Sequence, residues 1–104
     1  MCIRDSFDSA TVAEVTGLQV EGMDLTVGKQ VKRTLGLVLA DPRMGSSEQV
    51  TRETFGHPGA GTSVGWADPE LQLTVAYITN GFRAAESNID RLSSISQAVR
   101  NACR

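Results

Sequence analysis

The chain has 104 residues, 40% of them hydrophobic, 21% charged and 5% aromatic, enough for one small domain and too few for a large enzyme. A chain this size buries only about 60 to 70% of the surface its unfolded form exposes, so a core drawing on three Phe, one Trp and one Tyr is marginal. Ten Lys+Arg against 12 Asp+Glu, with no block of like charge, leave no electrostatic footprint for nucleic acid or an anionic membrane surface.

Residues 1–6 hold one basic residue followed at once by an acid and no apolar core, which is not a secretory signal pattern. They resemble the translated read-through of a sequencing adapter, a scar seen in reading frames from environmental assemblies. Residues 1–6 are therefore expected to be foreign to the fold and to make few tertiary contacts. Residues 7–16 read as a short helix: Asp8 and Ser9 can cap, Thr11 and Glu14 have capping-box spacing, and Gly17 sits where a helix would stop. Residues 18–30, with Gly22 and Gly28, read as a connection holding one brief strand. Residues 31–40 place Leu35, Leu37 and Leu39 at period two and read as a strand that Asp41-Pro42 ends. Residues 43–49 read as a loop.

Residues 51–55 alternate and lead into Gly56-His57-Pro58-Gly59-Ala60-Gly61, after which residues 62–67 resume an extended pattern. Asp68-Pro69 marks a type I turn, and residues 71–79 alternate again, so the two runs form an antiparallel hairpin. Residues 84–103 set Ile89, Leu92, Ile95, Val99 and Ala102 on one helical stripe, with Asp90, Arg91, Ser94 and Arg100 on the opposite, solvated side. The fold class is thus α/β of the α+β type: an antiparallel sheet of about three strands with flanking helices. The longest apolar-or-glycine run, residues 35–40, is far short of the roughly 18 residues a membrane helix needs. Cys2 and Cys103 lie at opposite ends with no metal-binding spacing, so no metal and no cofactor is indicated.

The glycines between Gly56 and Gly65 do not make a phosphate loop. The third glycine of GxGxxG is missing, no GKS or GKT is present, and a strand follows where a helix N-terminus is required. On composition alone they mark a bulged or closely approached strand. Asp68 and Glu70 look like a carboxylate pair but sit at a turn, where Asp accepts local backbone hydrogen bonds; replacing Asp68 with Asn is expected to change little. Trp66 and Tyr77 read as packing residues.

Residues 55–82 resemble the carboxy-terminal part of the serine beta-lactamase-related family. The resemblance rests on His57-Pro58-Gly59 with the following Gly61, the Ala67-Asp68-Pro69-Glu70 turn and the strand end from Tyr77 to Asn80, all in order. It extends upstream through residues 11–16, 19–22 and 34–39, and is nearest to class C-like esterases and penicillin-binding-protein homologues in which a His-x-Gly triplet replaces the Lys-Thr-Gly box. The chain would then be residues 7–104 of the C-terminal part of a larger domain, its partner the missing N-terminal part. Its substrate would be a small-molecule ester or amide, with no nucleic acid partner and no membrane segment.

That chemistry needs a serine with a lysine three residues on and a Tyr-x-Asn element, and neither is here. The resemblance implies that the parent is a serine hydrolase working through an acyl-enzyme, foremost an esterase, with beta-lactamase or D-amino-acid peptidase activity as alternatives, and that this chain alone is inactive. His57 takes the place of the box lysine, Gly59 that of the box glycine, and the backbone N–H of Ala60 one of two oxyanion donors. Pro58 and Gly61 complete the substrate-facing segment. Pro58 lacks the hydroxyl and N–H of the usual threonine, which tilts the expectation toward neutral esters, and it suits an edge strand facing a cleft. A member of the fold that lost its nucleophile and an unrelated small binding module are the rival readings. The sequence assigns no compartment.

Overall fold

The computed structural model describes residues 6–103 apart from 47, 52, 62 and 83. Most of the segment expected to be foreign, residues 1–5, lies outside that range. The elements in chain order are α1 (Ser9–Thr16), β1 (Val20–Asp24), β2 (Lys29–Arg33), β3 (Val38–Leu39), a single 3-10 turn (Pro42–Met44), β4 (Phe55–Pro58), β5 (Ser63–Asp68), β6 (Leu73–Ile78) and α2 (Ala85–Ala102). The strands form one six-stranded sheet in chain order, every neighbouring pair antiparallel. The α+β class and the hairpin of β5 and β6 are as read from the sequence, but the sheet has six strands rather than about three.

Two turns account for the extra strands. Asp24 Oδ1 accepts from the N–H groups of Thr26 and Val27, Gly28 donates to the Asp24 carbonyl at 2.7 Å, and Gly28 takes φ +70°. The segment read as a connection therefore holds β1 and the tip of the β1–β2 hairpin, and Arg33, at the far end of β2, reaches back to pair with Asp24 at 2.8 Å. The run read as one strand over residues 31–40 is broken by a second turn. Thr34 N–H donates to Leu37 O at 3.0 Å, Leu37 N–H to Thr34 Oγ1 at 3.1 Å, and Gly36 takes φ +92°. Leu35 consequently points out at the tip, while Val38 and Leu39 turn back along β2 and are buried.

The core lies on one face of the sheet, where Val38, Met44, Val64, Trp66 and Leu92 cluster. Met44 comes from the segment read as a plain loop; the 3-10 turn, capped by Asp41, swings it wholly inside. Along α2 the fully covered column is Asn88, Leu92, Ser96 and Arg100, one residue every four, with Ile89, Ile95 and Val99 half-buried beside it. The placement of Arg100 on a solvated face is thus corrected: its side chain is 0% exposed and paired with Asp68, also 0% exposed. Polar groups occupy this column because each has a partner there. Ser96 accepts from Trp66 Nε1 at 3.0 Å and donates to Arg43 O at 2.7 Å.

Asp68 is corrected with it. One carboxylate oxygen does serve the turn, accepting from Glu70 and Leu71 N–H. The other meets Arg100 at 2.5 Å and the Thr54 hydroxyl at 3.1 Å. Arg100 also donates to Met44 O at 2.7 Å and stacks 4.3 Å from the Trp66 ring centroid, so one side chain ties α2 to β5 and to the 42–50 segment.

Close approach explains one of the glycines. A Cβ on Gly56 would fall on the Gly65 carbonyl oxygen and within 2.6 Å of Trp66 Cα. Both are backbone atoms that cannot rotate away. Gly56→Ala should therefore force β4 and β5 apart and cost about 1–3 kcal/mol or more, read as a lowered midpoint in urea unfolding; a midpoint equal to wild type would contradict the close approach.

Candidate functional site

Gly59 N–H donates to Ser63 O at 2.8 Å, which fixes the alternation of the β4–β5 ladder. Phe55, His57 and Gly59 exchange their hydrogen bonds with β5, whereas the backbone nitrogens of Gly56 and Pro58 point the other way, toward β3. There β3 pairs only with Phe55 and Gly56. Among the described residues His57 and Pro58 thus have a strand neighbour on one side alone, and the nitrogen of Pro58 faces the open side, where its missing N–H costs no ladder bond. A proline next to a paired histidine is compatible with a strand only at such a place.

A groove of about 720 Å³ lies along this open side, and His57, Pro58, Gly59, Ala60 and Gly61 all line it, with Asn88 and Ile89 of α2 at one side and β2 at the other. A smaller hollow beside β2 and β3 contains none of the five. His57 shares its sheet face with its partner Gly65, opposite the face that α2 covers, and its ring is exposed. Its Nδ1 lies 2.7 Å from Pro58 O. A carbonyl only accepts, so Nδ1 carries the proton and Nε2 is the ring nitrogen left to take or deliver one.

Asp41 and Arg43 line the same groove as an ion pair. Arg43 holds Asp41 through two hydrogen bonds of 2.6 Å each. Burial pushes the Asp41 carboxyl up, and the Arg43 guanidinium and N–H outweigh that and hold it below the usual carboxylate range. Arg91, read as solvated, is half-buried and reaches the loop after β4, donating from Nη2 to Gly61 O at 3.1 Å and to Asn88 Oδ1 at 2.9 Å. Sequence reasoning missed Arg91 and Asn88 because only the path of α2 past the loop brings them there. Trp66 is buried against Ser96 and away from the groove, as a packing residue, and Tyr77 is half-buried against the same core. Among the described residues, no group of three His, Cys, Asp or Glu could hold a metal ion, and no helix is long and apolar enough to cross a membrane.

The fold, an antiparallel sheet with α2 across one face, is shared with solved structures. The chain is similar to EstA from Arthrobacter nitroguajacolicus Rue61a, at 28% identity and a TM-score of 0.66, over 94% of this chain and 25% of that one. It is similar to a novel penicillin-binding protein homolog from Caulobacter crescentus, at 26% identity and a TM-score of 0.71, over 91% and 25%. A beta-lactamase from Mycobacterium bovis has the same fold at 22% identity and a TM-score of 0.76, over 94% and 38%. The family model for beta-lactamases matches residues 4–100, and the chain belongs to that family. It spans roughly a quarter to two fifths of the length of these solved relatives. No curated protein matches it.

Proposed function

We propose that the chain is the C-terminal wall of a serine hydrolase that works through an acyl-enzyme and cleaves small neutral esters, and that it has no such activity alone. The observation that carries this reading is the convergence of His57, Pro58, Gly59, Ala60 and Gly61 on one groove at the unpaired edge of β4. His57 Nε2 handles a proton or, when protonated, offers positive charge beside the reacting serine. Gly59 keeps the strand close to substrate, and Ala60 N–H, the next peptide after the last one bonded to β5, is an oxyanion donor.

Pro58 faces substrate without a hydroxyl or N–H, which removes a contact for a substrate carboxylate and favours a neutral ester. The nucleophile and its lysine base belong to a preceding part of the domain, since no serine here has a lysine three residues on. Surface supports that part: α1 buries none of its residues, and Leu18, Val20, Leu25 and Val27 are all at least half exposed. A longer protein carrying this chain should hydrolyse a short-chain p-nitrophenyl ester while the 104-residue chain does not; turnover by the isolated chain, or none by the longer protein, would overturn the reading.

A further inference from the structure

Arg91 makes a hydrogen bond from α2 to Gly61 O in the loop after β4, bridging 30 positions of sequence. Its guanidinium is braced by Asn88, which is 3% exposed, and its Nε is buried with no partner among the described residues. Nη2 is held by Asn88 Oδ1 on one side and donates to Gly61 O on the other, so the bracing and the reach to the loop use the same nitrogen. The loop needs such an anchor. Gly59 and Gly61 flank Ala60, Gly61 takes φ +78°, and glycines on both sides leave the Ala60 peptide wide rotational freedom unless its neighbours are fixed. One neighbour is fixed by Gly59 N–H to Ser63 O, the other by Arg91 to Gly61 O.

We propose that Arg91 is a positioning residue: by holding the Gly61 carbonyl it sets the direction of the Ala60 N–H toward the groove. The proposal rests on the reading of Ala60 as an oxyanion donor, a role that requires a donor aimed in advance at developing charge. Arg91→Met keeps an apolar stem and removes the donor. In the longer protein it should lower kcat for a short-chain p-nitrophenyl ester by about 10-fold with KM within about twofold, the split expected when a transition-state contact is lost. In the 104-residue chain the Gly59 amide should exchange with solvent about 10-fold faster or more, while the β5–β6 ladder exchanges as in wild type.

Unchanged kcat, unchanged Gly59 exchange, or equal acceleration in β5–β6, which would make Arg91 a residue of the fold at large, each overturns the proposal. Absence of ester turnover by the unsubstituted longer protein would refute the catalytic reading, and with it this role. That failure is recognisable because the loop amide would still respond to Arg91→Met.

Discussion

Replacing Arg100 with methionine should lower the unfolding free energy by roughly 3–5 kcal/mol, the cost of leaving one member of a buried ion pair alone. For a domain of about 100 residues that is a fall in Tm on the order of 15–30 °C. Both side chains are 0% exposed, so the Asp68 carboxylate left behind cannot reach water. Met44 O and the Thr54 hydroxyl lose a donor as well, and the segment carrying Met44 loses one of its ties to α2. Asp68→Asn should cost a similar amount by stranding the guanidinium, contrary to what a turn position implies. The double variant Arg100→Met with Asp68→Leu should unfold closer to wild type than either single change, because no charge is then unpaired. Thermal melts of the three variants decide this, and single-variant losses below about 1 kcal/mol would refute the buried pair.

The same pair sets an acid limit. Burial raises the Asp68 carboxyl, but hydrogen bonds from Arg100, Leu71 N–H and the Thr54 hydroxyl outweigh it and hold the group below its ordinary value. An unfolded Asp titrates near pH 4, so the stabilisation is whole above about pH 4 and is lost as pH falls from there through the lower folded value. Asp41, lowered by Arg43, adds to the same window. Stability of the wild type should fall steeply below about pH 4, and Asp68→Asn should flatten that slope.

The elements legible in the sequence were those whose signals are local. Alternation marked β5 and β6, Asp8 marked the start of α1, and the long apolar stripe marked α2. The β1–β2 and β2–β3 turns were signalled by Asp24 with Gly28 and by Thr34 with Gly36, but period-two leucines on both sides of Gly36 imitated one uninterrupted strand. Arg100 could not be placed from helical spacing, since its burial depends on Asp68, 32 residues away. At the site, the triplet from His57 to Gly59 was readable through its resemblance to the family. The open edge that Pro58 requires comes from how short β3 is, and the reach of Arg91 to Gly61 from the path of α2, neither of which any local pattern encodes.

His57→Ala in the longer protein should slow hydrolysis of a short-chain ester by about 10 to 1,000-fold, the range for losing one proton-handling or charge-stabilising group. The change should leave the fold nearly intact. The ring is exposed and its hydrogen bond is to the neighbouring Pro58 carbonyl, so its loss removes little of the core. On the proposed reading, the residue at this place would meet the nucleophile's hydrogen-bond network across the groove, and Nε2 is the ring nitrogen that would do so. The deciding measurement is kcat/KM for p-nitrophenyl acetate with the longer protein and its His57→Ala variant, each shown folded by its melt. A fall of at least about 10-fold is expected, and equal kcat/KM would remove His57 from the active site.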